Sequence, residues 1–488
     1  MTLSKGEVPV RRYADGATLA GLFVLFLLII PARLVLRGLP LSLTPANILS
    51  LLACMCWICA TLTTTLGVAK GRTPARTALF VYLLALLASY GVSTYGYLPG
   101  DELKLADHAL VLAIANVGLA LAVCDGVRTA ERLDRLLKIV IVGGAVIAMI
   151  GVLQFMINLD LTQYLQLPGL RFTTEGGVVD ARNSLRRVAS TTGHPIEFGV
   201  VSAMLLPLGA HLGFQARERG ERSLGWWICT ILIGMGLMFS VSRSAMVGVG
   251  AVAVVLLCGW PNRRKLQALI VSVVFLGATK LVAPGLLGTL YGLFANFGAD
   301  NSVQYRTHRY DIALTELAKH RWFGHGIGTW YVPKYVAFDN QWIMSTVESG
   351  FVGVAAFAGL FVLGIYSALR ARYLSTDPGA RDLGLTLAAC LAVPMLGAAT
   401  FDLLSFGTVT GLTFLLIGAA GAHLRIAGQT AAVRKASALP TRPKPFRRTS
   451  TGTWAASGKP STARPGQVSQ GTLGQRAQGS GPTVEVTR

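Results

Sequence analysis

Apolar residues along this chain form long runs that are separated by short charged or Gly/Pro-rich segments. The runs last for roughly 16–25 residues, which is the length that a helix needs to cross about 30 Å of hydrocarbon. Strands of a membrane β-barrel would instead alternate in polarity over about ten residues. The pattern predicts an all-α polytopic membrane protein with about 12 transmembrane helices, at residues 17–36, 47–68, 77–97, 108–124, 137–157, 196–214, 226–241, 245–260, 266–283, 342–369, 382–401 and 407–424.

Composition supports the membrane assignment and sets the orientation. Hydrophobic residues make up 52% of the chain and charged residues 14%, whereas a soluble domain carries about 25% charge. Most of the 44 Lys and Arg residues lie in alternate connections and in the C-terminal segment, and basic residues are retained on the cytoplasmic side. We therefore expect both termini to be cytoplasmic, in a multi-pass protein of a bacterial plasma (inner) membrane. The net charge of +21 reflects this orientation, and no nucleic-acid partner is expected.

Two connections are too long to be simple turns, and long loops in compact proteins are usually functional or disordered. We expect both to be extracytoplasmic, and the second to contain an amphipathic helix within Tyr305–His320, where apolar side chains alternate with charges. The last segment is basic and rich in Pro, Gly, Ser and Thr, a composition that cannot bury a core. The predicted segments are transmembrane helices 1–5 (1–157), the first loop (158–195), helices 6–9 (196–283), the second loop (284–341), helices 10–12 (342–426) and a disordered cytoplasmic tail (427–488).

The seven cysteines all lie in or at the ends of predicted spans, so the loops have no disulfide framework. Cys54, Cys56 and Cys59 form a cluster that has no histidine or carboxylate close by in the sequence. Small polarizable side chains that pack a helix explain this cluster better than a metal site does. We expect no metal and no cofactor.

Polar residues that could carry chemistry occur in four stretches at the predicted outer boundary, so they could converge on one site. Each combines arginine, histidine or carboxylate side chains with glycine or a helix start. The stretches are Arg187–Pro195, Ser240–Ser244, Arg306–Gly328 and Asp339–Gly350.

Arg243 is the most informative single residue of these stretches. The predicted spans on either side of it are short, so the Ser240–Ser244 tip should lie below the outer surface of the membrane. An arginine at that depth costs roughly 2.5–3.5 kcal/mol unless it finds a partner or water. Its planar fork matches phosphate oxygens, which favours binding of an anionic group. The alternative is an arginine that extends to the lipid headgroups.

Two acids stand at the start of the tenth predicted span. Glu348 lies about two turns inside the span, where an acid is usually functional or paired. Asp339 precedes the span, and the alternative to a functional role is a plain cap of that helix.

Together these stretches resemble the O-antigen ligase-like family, the bacterial polysaccharide ligases and polymerases that act on lipid-linked glycans. The resemblance covers about residues 182–355. It rests on motifs that are weak alone but occur in the right order: Arg187 with Gly193-His194-Pro195, Ser242-Arg243-Ser244, Arg306 with Gly324-His325-Gly326-Ile327-Gly328, and Asp339-Asn340-Gln341-Trp342 with Glu348-Ser349-Gly350.

The resemblance implies a metal-independent, inverting glycosyltransferase at the outer face of the plasma membrane. Its donor would be a polyprenyl-diphosphate-linked glycan, its acceptor a hydroxyl of a glycan or glycolipid, and membrane lipids would surround it. Arg187, Arg243, Arg306 and Arg309 would hold the donor diphosphate and stabilise the leaving group. Asn340 and Glu348 would support the site.

The base is the point at which this chain departs from many ligases, which have His-Asn where this chain has Asp339-Asn340. A solvated aspartate, with a pKa of about 3.9, is a weak base at neutral pH, so Asp339 would need partial desolvation to act as the catalytic base. His325 or His308 from the second loop are the alternatives. Polymerase-like members tolerate an acid at this position, which favours a polymerase slightly over a ligase.

Two other classes of protein remain as alternatives. A transporter or flippase of lipid-linked oligosaccharide would have a similar number of helices, but such proteins show internal repeats and broken helices near the midplane of the membrane. The two halves of this sequence show no convincing similarity. A structural scaffold would account for the tail and not for the long loops.

Overall fold

The computed structural model describes residues 15–63, 73–165, 167–173, 180–182, 185–295, 309–332 and 334–438. These residues are mainly helical, in agreement with the predicted all-α fold. The helices, in chain order, are α1 (Gly16–Ile29), α2 (Pro45–Leu62), α3 (Pro74–Tyr95), α4 (Gly100–Gly126), α5 (Ala130–Ile157), α6 (Pro195–Glu218), α7 (Leu224–Phe239), α8 (Arg243–Gly259), α9 (Asn262–Val282), α10 (Leu286–Ala295), α11 (Tyr310–Lys319), α12 (Gln341–Leu374), α13 (Pro378–Gly397) and α14 (Gly407–Ala438).

Short strands accompany the first long loop. Strand β1 (Leu34–Leu36) pairs antiparallel with β2 (Leu170–Phe172), with Val35 opposite Arg171. Strand β3 (Asp180–Arg182) pairs antiparallel with β4 (Leu185–Arg187). The β1–β2 ribbon ties the segment after α1 to the first loop.

Among the described residues, eight helices are long and apolar enough to cross a membrane: α2 to α6 and α12 to α14. Helices α1, α7 and α8 are apolar but shorter, and α9 and α10 form a pair bent by 111°. The chain is therefore a multi-pass membrane protein. Every predicted span coincides with a helix, while the count of twelve and the compartment of each terminus stay predictions.

Several predicted boundaries differ from the structure, and two of the differences have a clear physical reason. The first span was placed at 17–36, but α1 ends at Ile29, because Pro31 cannot continue a helix and the chain turns into β1. The tail was placed from residue 427, but α14 continues to Ala438. The added turns contain several alanines together with arginine and lysine, which are strong helix formers. Residues 439–488 lie outside the described residues.

Hydrogen bonds show which helix ends share a face of the bundle. The end of α1 is joined to the first loop by Arg33, whose Nη2 donates to Thr162 Oγ1 at 2.7 Å. The start of α4 is joined to the second loop, and the starts of α8 and α12 are joined to the α13–α14 connection. We call this side of the bundle the loop face.

Close helix contacts depend on small residues. A Cβ atom added at Gly118 of α4 would lie 2.2 Å from the Cβ of Cys54 in α2. Small residues at such contacts let helix backbones approach each other in a membrane. Cys54 therefore packs a helix interface, as the sequence predicted, whereas Cys56 and Cys59 of the same cluster are exposed.

Candidate functional site

The α7–α8 tip is buried beneath the first loop. Helices α7 and α8 have 16 and 17 residues, and Ser240, Val241 and Ser242 between or beside them are almost completely buried. Val241 adopts a left-handed conformation with φ of 45°, which makes the turn tight enough for Ser242 to cap α8 by accepting from Ala245 N at 3.4 Å. Arg243, the first residue of α8, is half-buried.

The first loop brings Arg187 to the same place. Arg187 ends β4 and is buried, and the backbone N–H of the next residue, Val188, donates to Phe239 O at the end of α7 at 3.5 Å. Residue 188 therefore contacts the end of α7, and Arg243 begins α8 after the short turn that follows.

The other two predicted donor-binding arginines belong to the second loop. Arg306, like His308, lies outside the described residues. Arg309 is buried at the start of α11, and its Nη1 donates to the carbonyl oxygen of Ala337. This contact holds the chain two residues before Asp339.

The α13–α14 connection links the arginine turn to α12. Thr400 Oγ1 donates to Ser244 Oγ, beside Arg243, at 2.8 Å. Asp402 Oδ1 accepts from the backbone N–H of Asn340 at 2.9 Å, and Gln341 N donates to Ala398 O at 2.7 Å. This connection was not predicted as part of the site. The available signal was Asp402 itself, an acid between two apolar spans.

Asn340, and not Asp339, caps α12. Its Oδ1 accepts from the backbone N–H groups of Trp342 at 3.0 Å and Ile343 at 3.3 Å. The capping role considered for Asp339 is therefore wrong. Asp339 is half-buried and has a left-handed backbone with φ of 50°, a conformation that aspartate and asparagine adopt more readily than most residues. Its carboxylate is thus not required for the helix start.

Helix α12 is broken at Gly350, and the glycine-rich turn of the second loop fills the break. Gly350 has φ of 64° and ψ of −166°. Before the break, the carbonyl oxygens of Val347 and Glu348 accept from His325 N at 2.8 Å and Gly326 N at 2.9 Å. After it, Phe351 N donates to Arg321 O at 2.9 Å. Backbone groups that the break frees are therefore satisfied by the loop.

Glycine is required on both sides of this contact. A Cβ atom at Gly324 would lie 2.3 Å from the carbonyl carbon of Glu348, and one at Gly350 would lie 2.4 Å from that of Trp322. The side chain of Glu348 reinforces the contact, because it accepts hydrogen bonds from the backbone N–H groups of Gly328 and Trp330. Glu348 thus fastens the glycine-rich turn to α12.

His325 is held in a defined tautomer within the turn. Its Nδ1 lies 2.7 Å from Thr329 Oγ1, and the Thr329 hydroxyl donates its proton to Gly326 O at 2.7 Å. Nδ1 must therefore carry a proton and donate it to Thr329, which leaves Nε2 as the acceptor. Burial lowers the pKa of His325 below its usual 6.5, so the imidazole is neutral at pH 7.

Glu197 is a buried member of the loop face that the sequence reasoning did not single out. One carboxylate oxygen accepts from Gly193 N at 2.8 Å, and the other accepts from Thr408 N at 2.6 Å and Val409 N at 3.3 Å. The acid thereby joins the first loop to the start of α14, where N–H groups have no partner within the helix. Its place in an apolar span directly after His194-Pro195 was the signal.

An apolar groove of about 530 Å³ runs between α3 and α12. Alanine, valine, leucine and glycine line it, from Ala78 to Ala88 on α3 and from Val352 to Leu363 on α12. Leu84 in its wall is 68% exposed, so the groove opens sideways out of the bundle. Its upper end meets the break in α12, since Ser89 Oγ donates to Glu348 O at 3.1 Å.

Among the residues that the structure describes, no three His, Cys, Asp or Glu side chains converge closely enough to hold a metal ion. The polar groups of the loop face include arginines, backbone N–H groups, histidines, tyrosines and carboxylates.

The chain was compared with known proteins and with protein-family models. No curated protein matches the chain. Residues 228–367 match the family model of the O-antigen ligases, a segment that runs from α7 to α12 and includes Arg243, the glycine-rich turn and Glu348. This match confirms the resemblance of the chain to the O-antigen ligase-like family.

Proposed function

We propose that this protein is a membrane glycosyltransferase that transfers or polymerises glycan from a polyprenyl-diphosphate-linked donor onto an acceptor hydroxyl, at the outer face of the plasma membrane. The observation that carries the proposal is the placement of the buried Arg187 and the half-buried Arg243 at the loop face, near the turn between α7 and α8. Arginines at the loop face would supply cationic hydrogen-bond donors at the point where negative charge develops on the diphosphate leaving group. The family match over residues 228–367 agrees with this chemistry.

The donor would be held by arginine and by the apolar groove. Arg243 and Arg187 would bind the diphosphate, because a guanidinium fork reaches two phosphate oxygens at once. Arg306 and Arg309 are proposed as further contacts from the second loop. The polyprenyl chain would lie in the groove between α3 and α12, whose walls are apolar and open towards the lipid.

We propose Asp339 as the base that removes the proton from the acceptor hydroxyl. It adjoins Asn340, which binds Asp402 of the connection that also contacts Ser244 beside Arg243. The Asp339 side chain is half-buried beside this connection. In-line attack on the anomeric carbon would then invert it, without a metal.

His325 is the alternative base. Its neutral imidazole with a free Nε2 suits proton removal, but its turn is bound to Val347, about two helical turns along α12 from Asp339. A polymerase would use another repeat unit as the acceptor, and a ligase would use a different glycolipid. We favour the polymerase slightly because the proposed general base, Asp339, is a carboxylate.

The test uses purified protein in lipid nanodiscs with a polyprenyl-diphosphate-linked glycan, and it reads donor binding and glycan product separately. Arg243→Lys should lower the rate roughly ten- to a hundredfold, because a charge-assisted contact contributes about 1.5–3 kcal/mol and a lysine cannot reproduce the fork. Arg171→Lys is the matched control, an exposed arginine of β2 on the same face. Equal activity of the two variants would contradict the proposal. Movement of the donor across the membrane with no new glycosidic bond would instead favour the flippase alternative.

A further inference from the structure

The loop face has a second polar region whose chemistry differs from that of the arginine turn. It joins the first turn of α4 to the end of the second loop. Tyr331 OH donates to Asp101 Oδ2 at 2.6 Å, and Tyr335 OH donates to Glu102 Oε1 at 2.7 Å. Lys334 Nζ lies 2.6 Å from Glu102 Oε1 and 3.1 Å from Asp101 Oδ2. Five side chains thus form one ordered cluster.

The charge of this cluster disfavours phosphate. Asp101 and Glu102 carry two negative charges and Lys334 one positive charge, which leaves one net negative charge. Both acids are held by contacts to phenol and ammonium groups. A diphosphate would be repelled here, whereas a neutral sugar would find carboxylate and phenol oxygens whose lone pairs accept from its hydroxyl groups. Burial and the bond to Glu102 raise the pKa of Tyr335 to about 12, so that phenol keeps its proton at neutral pH.

Exposed aromatic rings continue the cluster along the α3–α4 turn. Tyr95 is 96% exposed and Tyr97 is 95% exposed, and the turn then leads within four residues to Asp101. Large aromatic side chains offer flat apolar area at a low cost in conformational entropy, with a polar tip that can bond. A sugar presents apolar C–H faces and polar hydroxyl groups. The exposed rings suit the C–H faces, and the neighbouring carboxylate and phenol oxygens suit the hydroxyl groups. We call Tyr95, Tyr97, Asp101, Tyr331 and Tyr335 the tyrosine ridge.

The ridge adjoins the glycine-rich turn that enters the break in α12. The ring of His325 lies 5.6 Å from that of Tyr335 and 5.9 Å from that of Trp330. A Cβ atom at Gly326 would lie 2.8 Å from the Cβ of Ser93 near the end of α3. The turn therefore stands between the ridge and α12, the helix whose first residues contact the connection next to Arg243.

We propose that the tyrosine ridge binds the acceptor as a neutral, hydroxyl-rich glycan, while the arginine turn takes the diphosphate of the donor. This inference rests on the proposed function and adds to it the place and the chemistry of the acceptor. The division follows from charge: the cationic part of the loop face holds phosphate, and the weakly anionic aromatic part holds sugar.

The experiment measures binding without turnover. The probe is the glycan released by mild acid from the lipid-linked glycan of the producing cells, and its binding to the full-length protein in nanodiscs is compared with that of polyprenyl diphosphate. Tyr97→Ala should weaken glycan binding roughly two- to tenfold, the range expected for one aromatic contact, and leave diphosphate binding unchanged. Tyr331→Ala should do the same. Tyr164→Ala is the control, a tyrosine of the first loop that is 76% exposed.

Unchanged glycan binding by both ridge variants would overturn the inference, and the tyrosines would then be interface anchors of the kind common in membrane proteins. An equal loss with Tyr164→Ala, or a parallel loss of diphosphate binding, would overturn it as well. Failure of the proposed function looks different: the wild-type protein would bind the free glycan at the ridge and form no glycosidic bond. Transfer with a normal KM for the acceptor in Tyr97→Ala would show the reverse, an active enzyme whose acceptor lies elsewhere.

Discussion

Asp339→Asn separates catalysis from structure at the start of α12. Asparagine keeps the size of the side chain and tolerates the left-handed backbone at φ of 50°. Alanine at the same place would add about 1–2 kcal/mol of backbone strain. The helix cap is supplied by Asn340 and the bond to Asp402 uses the Asn340 backbone, so neither is disturbed. The variant should fold like the wild-type protein.

The expected loss is therefore one of turnover. Removal of a general base costs about 10²- to 10⁴-fold in rate, which corresponds to roughly 2.7–5.4 kcal/mol of barrier height. Donor binding should persist, because the arginines proposed to hold the diphosphate are unchanged. Single-turnover kinetics in nanodiscs with saturating lipid-linked donor measure the chemical step, and a filter assay measures donor retention.

His325→Gln and Thr329→Val are the matched variants for the alternative base. If His325 takes the proton, activity must fall as the pH drops through its pKa, which burial places below 6.5, because the imidazolium has no lone pair. Thr329→Val would then slow turnover about two- to tenfold. The lost hydrogen bond contributes about 0.5–1.5 kcal/mol, and without it the tautomer of His325 that is protonated on Nε2, and cannot act as the base there, becomes more populated. Near-normal turnover by Asp339→Asn together with loss in both matched variants would refute our choice of Asp339.

Two further predictions concern the scaffold. Gly350→Ala should destabilise the protein by roughly 1–3 kcal/mol or more, the cost of a side chain in a glycine-only backbone region, and its Cβ atom would also lie 2.4 Å from Trp322. Thermal unfolding in nanodiscs measures this loss. Gly359→Ala in the same helix, whose Cβ atom would meet nothing within 4 Å, is the control and should be neutral or slightly stabilising. Equal melting temperatures would show that the break in α12 is not needed. Reporter fusions in the 158–195 and 284–341 loops should report the outer compartment, and a cytoplasmic signal from a fusion after Arg321 would place the arginines on the wrong side for an external donor.

The sequence by itself determined the helices and the motifs. Hydropathy runs are local, and a helix satisfies its own backbone groups within lipid, so each predicted span could be placed without knowledge of its neighbours. The short α7 and α8 followed from the lengths of their apolar runs, whereas the depth of Arg243 in the membrane stays a prediction. The glycines at 324 and 350 were visible as a pattern, although nothing in the pattern showed that one enters the break made by the other.

Only the tertiary structure decided which of these residues meet. Asn340 caps α12 with its side chain. Its backbone N–H is held by Asp402, which lies far along the chain. Glu197 joins the first loop to α14 because α14 begins beside it. The groove and the tyrosine ridge exist only where α3 packs against α12 and the second loop rests on α4. Such contacts depend on how helices pack through small residues at their interfaces, and a local sequence pattern does not record which helices become neighbours.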